Sequence, residues 1–409
     1  MRFTISTNIK SPPFTYFYTV HVTYNYKCAY GEKMKKFLLT LLLLCVLTGF
    51  ILCFPELLDH FYTTNQPPSE ELAYQGVLTI GDTVRRTVAG SRYGYINNLI
   101  DGFEKSNPRI RVELKQLKYS DSDEIALRLS ESEAHPDILP YYIFSEPIDK
   151  MYLCDATDYL PLTADMTPYF TSLVESGAYP AVPVSYEVPT ILINNDILRQ
   201  HSIDIPDTWT AETFLAMLRE LDEVASDDIY VFDAFIAPSS NTWQPFYENG
   251  HLQAIAELTH LRSTLFTAGE DTVISMFADD RTAVCLIQTG QLRTLQNMHN
   301  KGSATSTFSV YPLPYETTYI SNIYFYAAFQ SEDMAKQAAT ISLIEHMLNT
   351  QSQTELQNLM HLPVTDVLYE DYPYLEPLKH KETCVLLPLD NAGKQVNYDE
   401  MMKYTLQKN

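Results

Sequence analysis

The chain is short of cations, of glycines and of closely spaced cysteines, and each scarcity removes a class of function. Its 28 lysines and arginines face 51 aspartates and glutamates. Six of those cations and only one acid fall in residues 1–54, so the remainder carries 22 basic against 50 acidic residues, a net −28. Such a body is repelled by phosphate backbones and anionic lipid heads, which speaks against nucleic acid as a partner. We read the acidity as what keeps an exported chain soluble. With 13 glycines in 409 residues there is no glycine-rich phosphate cradle, and neither Gly-x-Ser-x-Gly nor His-Glu-x-x-His occurs. Catalysis is therefore not expected. Of the six cysteines, Cys154, Cys285 and Cys384 lie beyond residue 54, far apart, with no Cys-x-x-Cys and no histidine at ligand spacing. That pattern predicts buried thiols, with no metal site, disulfide scaffold or cofactor.

What is present is a large apolar fraction, 45% hydrophobic and 12% aromatic, enough for a sizeable core and, at this length, for two lobes. Residues 1–33 match no fold element and read as a non-native or disordered extension, with Met34 as the natural start. Lys35 and Lys36 then precede an apolar run at 37–54, in the charge-then-hydrophobe order of an export signal. The run is at the lower edge of what spans a bilayer, and it ends without the small residues that signal peptidase needs. We expect an uncleaved anchor that leaves the body outside the membrane, with a lipid on Cys53 as the second possibility. Residues 55–73, with Pro67 and Pro68, read as a tether.

The body opens with a short apolar strand at 76–80, followed by a loop containing Arg92 and Tyr93. An amphipathic helix carrying Ile96, Leu99, Ile100 and Phe103 stops at Asn107-Pro108, and a strand resumes at 110–114, which makes one βαβ unit. A second helix is predicted at 122–132 and a strand entry at His135-Pro136-Asp137. The most informative stretch is 179–198. Prolines forbid helix there and frame Ser185, Tyr186 and Glu187, and a β-branched run closes on Asn194-Asn195-Asp196. It reads as a strand crossing between two lobes, with its polar triplet facing the space between them. Thr210, with Thr213 three residues on, predicts a capped helix carrying Phe214, Leu215, Leu218 and Leu221.

In order, the stretches 93–114 (YGYINNLIDGFEKSNPRIRVEL), 135–139 (HPDIL), 183–198 (PVSYEVPTILINNDIL), 205–221 (IPDTWTAETFLAMLREL), 241–250 (NTWQPFYENG), 277–286 (FADDRTAVCL), 308–314 (FSVYPLP), 335–348 and 361–364 resemble the extracellular solute-binding proteins of ABC importers, the maltose-binding type. The resemblance spans residues 76 to about 370 and rests on the order of motifs that are individually weak. It departs from the family at His251 and Asp280, where glycine is usual.

The resemblance implies an α/β, two-lobed periplasmic-binding-protein-like (type II) fold with an interlobe cleft. Lobe 1 would take 74–184 with 312–350, and lobe 2 would take 185–310 with 351–409, joined by crossings near 184–190 and 308–312. It implies a small-molecule ligand, sugar or oligosaccharide, passed to an ABC transporter permease. Trp243 is then the expected sugar-stacking ring and Glu187 the hydroxyl-accepting carboxylate, with Tyr186, Arg92, Tyr93 and Asp137 as further ligand contacts. Against all of these but Tyr186, which could stack or donate, stands a structural role: core packing for Trp243, a hinge salt bridge for Glu187, a loop tie for Asp137 and solvated loop positions for Arg92 and Tyr93. Trp209 is assigned to the core. Tyr311, Tyr319, Tyr324 and Tyr326 form first a strand pattern and only second a cleft lining. Two other readings are open: a membrane-tethered sensor that keeps the fold, and a thiamine-related binding protein or enzyme. The enzyme of that fold carries its nucleophilic cysteine where this chain has Glu187, so its chemistry is not expected.

Overall fold

The chain leaves one β-sheet at Glu187 and enters another at Pro189, with Val188 alone between them. The computed structural model describes residues 72–117, 135–141, 152–226, 228–234, 243–258, 270–379 and 383–387. All lie within Glu70–Asn409, which forms one compact unit. The apolar run at 37–54 and the helix predicted at 122–132 fall outside the described residues. Among the described residues, no helix is long and apolar enough to cross a membrane.

The first sheet begins with the expected βαβ unit: β1 (Gly76–Thr83), the helix Gly94–Ser106, and β2 (Ile110–Leu117) parallel to β1. Ile96, Leu99, Ile100 and Phe103 are all buried, because spacings of three and four place them on one helical face. The helix stops at Asn107, where Pro108 disfavours helical geometry in the residue before it. Parallel β3 (Ile138–Pro140) lies on the other side of β1, and β4 (Val182–Glu187) is the outgoing crossing strand. The returning strand β10 (Asn322–Ala328) runs antiparallel between β3 and β4, and β11 (Leu362–Pro363) borders β4, giving the order β11-β4-β10-β3-β1-β2.

The second sheet has the order β6-β7-β5-β8, built from β5 (Pro189–Asn194), β6 (Tyr230–Ala234), β7 (Thr282–Gln288) and β8 (Phe308–Pro312). All six residues of β5 are buried. Ile191 and Ile193 face a core shared with Phe214, Leu218 and Leu221, while Leu192 faces the opposite core. A sheet covered on both faces needs a continuous apolar run rather than alternation, which is what 188–193 supplies. The helix Ala211–Val224 starts as its sequence predicts. The Thr213 backbone N–H donates to Thr210 Oγ1 at 3.3 Å and the Thr210 N–H donates to Thr213 Oγ1 at 3.0 Å.

Asp280, one of the two departures from the family pattern, has φ +54°. That left-handed backbone explains the usual glycine. Here the Asp280 carboxylate accepts from Asn194 Nδ2 at 2.7 Å, and Asn194 Oδ1 in turn caps the helix Asn195–Gln200 by accepting from the Asp196 and Ile197 N–H groups. The strained residue is held by the same asparagine that starts the helix.

Two expectations are corrected. The return between sheets occupies 313–321, after β8 rather than within it, and includes β9 (Thr318–Ile320) paired in parallel with β12 (Cys384–Leu386). Residues 351–364 do not belong to the second lobe: β11 pairs with β4, and Leu356, Leu359 and Met360 pack into the first sheet's core. The tail reaches second-sheet elements only later, where the Tyr374 ring meets Phe308 at 5.7 Å and Leu387 enters the second core. In the helix Met334–Leu348, Ala338 is exposed, and the core face is Ala339, Leu343, Ile344, Met347 and Leu348.

Candidate functional site

Glu187 ends β4 at the point where the two sheets meet. Its Oε2 accepts a hydrogen bond from the Tyr324 hydroxyl at 2.9 Å, and its Oε1 lies 3.6 Å from His361 Nε2. From the second lobe, Gly290 approaches so closely that a side chain there would collide with the Glu187 carboxylate. The Glu187 carbonyl accepts from the Ser321 N–H, and the one proton of the Ser321 hydroxyl has that carbonyl and Gln288 Oε1 as its alternative acceptors. Thus one acidic residue meets groups from the first sheet, from the return segment and from the turn at Gly290.

His361 is 2% exposed, stacks face to face on Tyr324 (4.4 Å between centroids, 20°), and has its Nδ1 3.2 Å from the Ser185 hydroxyl. Its separation from Glu187 would suit an ion pair, yet burial, with Arg85 and Arg293 adding positive charge nearby, holds the imidazole well below its ordinary pKa. The 3.6 Å approach is therefore between a carboxylate and a neutral ring at pH 7.

Arg85, just beyond β1, completes the arrangement. Its Nη2 donates to Asp82 Oδ2 at 2.7 Å and to the Tyr326 hydroxyl. The guanidinium carbon lies 5.5–5.8 Å from the ring centroids of Tyr95, Tyr324 and Tyr326, within reach of cation–π attraction. The junction thus combines two carboxylates, a guanidinium and several tyrosines, at the carboxyl end of the parallel strand β1, where open α/β sheets bind ligands. Carboxylate acceptors and guanidinium donors suit a solute rich in hydroxyls.

The residues expected from sequence distribute unevenly. Glu187 is at the junction. Trp243 is not: it is 1% exposed, in the second core, with its ring against Phe232 and Phe246, because the largest side chain fills the space between β6 and the helix Gln244–Glu248. Tyr186 is fully buried on the other face of β4 from Glu187, against Phe170 at 4.9 Å, as strand alternation requires. Asp137 ties the frame, accepting from the Thr79 N–H at 2.7 Å and pairing with Lys336 at 2.6 Å. Arg92 is exposed and Tyr93 half-buried, in the loop before the helix Gly94–Ser106. Trp209 is half-buried beside the second core, stacked on Tyr311 and donating to the Pro312 carbonyl at 2.8 Å.

Sequence reasoning missed Asp82, Arg85, His361 and Gly290. The available signal was a polar run, Asp82-Thr83-Val84-Arg85-Arg86, directly after the first apolar strand. Cys154 and Cys285 are buried, as expected, whereas Cys384 is only half-buried. Burial pushes the Cys154 thiol up to about 12 and that of Cys285 well above its ordinary value, so neither is a ready nucleophile. Among the described residues, no group of three or more histidines, cysteines, aspartates or glutamates is placed to hold a metal ion.

Two small hollows occur among the described residues. One, of about 10 Å³, is lined by Tyr95, Asn98, His346 and Glu355. The other, also about 10 Å³, is lined by Val188, Pro189, Pro312 and Tyr319. Each has room for about one water.

The model of the bacterial extracellular solute-binding protein family matches residues 98–374. Comparison with curated proteins gives no match. Several solved structures share the fold. The GacH receptor of Streptomyces glaucescens, studied unliganded and with acarbose, is 14% identical, covering 82% of this chain and 94% of its own, with a TM-score of 0.57. The cyclic alpha-maltosyl-1,6-maltose binding protein of Arthrobacter globiformis is 14% identical, covering 82% and 95%, with a TM-score of 0.59. The binding protein msme of Bacillus subtilis, in an open conformation, is 17% identical, covering 81% and 95%, with a TM-score of 0.55.

Proposed function

Because this chain belongs to the bacterial extracellular solute-binding protein family, a family of binding proteins rather than enzymes, we propose that it captures a carbohydrate outside the cell and delivers it to an ABC importer permease. The observation that carries the reading is the junction itself: Glu187, Arg85 and the tyrosines Tyr324, Tyr326 and Tyr95 converge where the chain crosses between the sheets. Acarbose and cyclic alpha-maltosyl-1,6-maltose, named for two proteins of the same fold, are hydroxyl-rich, and the groups gathered here suit such a ligand.

In this reading the lobes part to admit the solute and close over it. Glu187 accepts hydrogen bonds from sugar hydroxyls, Arg85 donates to them, and Arg92 and Tyr93 approach from the loop after β1. Trp243, Tyr186 and Asp137 serve the frame. The body is displayed at the outer face of the cytoplasmic membrane, anchored by residues 37–54 or by a lipid on Cys53. Mass spectrometry of the membrane-bound protein separates the two anchors, and a new amino terminus after residue 54 without lipid removes both.

The test of the function is a thermal-shift screen of the full chain against sugars, peptides, polyamines and thiamine. A carbohydrate at a hundred times its dissociation constant adds roughly 2.7 kcal/mol of stability. A shift with thiamine or a polyamine and none with any sugar would overturn the carbohydrate reading.

A further inference from the structure

The helix Leu292–Asn300 belongs to the second lobe, which it joins through β7 and the 3₁₀ turn Thr289–Gln291, yet one of its faces reads the first lobe. Gly290, in that leading turn, makes room for the Glu187 carboxylate. Arg293 lies close enough to His361 to depress its protonation. Asn297 donates from Nδ2 to the Val88 carbonyl at 2.8 Å. Positions 293 and 297, four residues apart, share one face of the helix, and Gly290 stands in the turn that leads into it.

The Val88 end of this contact is firmly part of the first lobe. Val88 is 4% exposed within the first core, and its own N–H donates to the Asn358 carbonyl at 2.8 Å. It sits in the same loop as Arg92 and Tyr93. Seven residues, the first steps in the 3₁₀ turn and the rest in the helix, separate Gly290 from Asn297, or about 10 Å at ~1.5 Å per residue. The first contact is beside the crossing, where a hinge rotation moves atoms least. The second lies seven residues further along the chain, and a rotation that parts the lobes about the crossing would separate its partners.

We propose that Asn297 is a latch of lobe closure: its amide reaches the Val88 carbonyl only when the lobes are shut, and so it sets the balance between shut and open forms. This rests on the reading that a solute enters between the lobes, and it adds the residue that times entry and release. The side-chain chemistry fits the role. An amide donates to a backbone carbonyl at modest cost when the bond is broken and both ends meet water, whereas a salt bridge in this half-buried place would hold the lobes more tightly.

The test uses the full chain carrying two spin labels on unnatural side chains, at exposed Asp101 on the first-lobe helix and exposed Glu223 on the second-lobe helix. Asn297→Asp keeps the size, loses the donor and sets a negative charge against the carbonyl. It is expected to raise the population of long inter-label distances about fivefold or more, since one hydrogen bond is worth about that factor. Asn297→Ala, which adds no charge, should move the distribution the same way. Asn300→Asp, the same charge change at an exposed site on the same helix, should leave it as in the parent. Parent-like distances in both Asn297 variants, or equal opening by Asn300→Asp, would overturn the latch. If the Asn297 variants open and no carbohydrate binds, the latch stands and the solute reading falls. If a carbohydrate binds and the distances do not move, the reverse holds.

Discussion

Two aromatic-rich regions of this chain look alike in the sequence and differ in what their rings touch. Around Trp243 the neighbours are Phe232, Phe246 and the aliphatic residues of the second core. Around Tyr324 the neighbours are Glu187, His361 and Arg85, all polar. A ring surrounded by hydrocarbon contributes volume and apolar burial. A ring held between a carboxylate and a guanidinium contributes orientation, and its surroundings can hydrogen-bond a solute. The type of aromatic residue does not distinguish these roles; the charge of its neighbours does.

The sharpest way to break this contrast is Trp243→Ala. If Trp243 is core, the variant should lose about 3–5 kcal/mol of stability in denaturant titration, with any loss of binding following from unfolding. A stable Trp243→Ala protein that fails to bind would move the ring to the site.

Acid should bear on the junction next. His361 is held neutral by burial, with Arg85 and Arg293 also facing it alongside Glu187, Ser185 and Tyr324. Its folded pKa lies below the unfolded value near 6.5, so the unfolded chain binds the proton more readily. Its stabilising contribution is therefore complete above pH 6.5 and is lost as pH falls from there toward the folded pKa, at up to about 1.4 kcal/mol per pH unit. His346 and His299 are shifted the same way by burial and add to the slope. Melting curves from pH 7.5 to 5 should show the decline, and His361→Gln should flatten it. An unchanged slope in that variant would assign the acid sensitivity elsewhere.

Smaller effects probe the frame. Asn194→Ala removes a helix cap and the partner of Asp280 together, and should cost about 2 kcal/mol, at the upper end of capping losses. Thr210→Ala removes only a cap and should cost about 1 kcal/mol. Equal costs in urea titrations would mean that the Asn194–Asp280 bond contributes nothing.

What could be read in the sequence follows the range of the interactions involved. The βαβ unit, the Thr210–Thr213 cap and the crossing at Glu187 depend on residues within one or two turns of each other, and their patterns survive in a single chain. The junction draws on positions 82, 85, 187, 290, 324 and 361, which only the sheet order β11-β4-β10-β3-β1-β2 and the second lobe bring together. The crossing at Glu187 is legible because prolines frame it. Arg85 and His361 are not, since an arginine after a strand and a histidine before Leu-Pro are ordinary in any loop. Trp243 stands in a local motif that matches a binding position, while its burial is decided by Phe232 on a strand eleven residues away. The family order of motifs carried the fold; it did not carry which lobe residues 351–364 join, because that depends on the pairing of β11 with β4.

In the function proposed above, the junction binds the solute and the Trp243 region only supports it. The most direct test is the affinity of Glu187→Ala, by isothermal calorimetry, for the carbohydrate that the thermal-shift screen selects. The account predicts a loss of about 1.5–3 kcal/mol, roughly 10- to 150-fold, with a stability change no larger than the loss of one hydrogen bond, about 1 kcal/mol. Parent-like affinity in Glu187→Ala would contradict it.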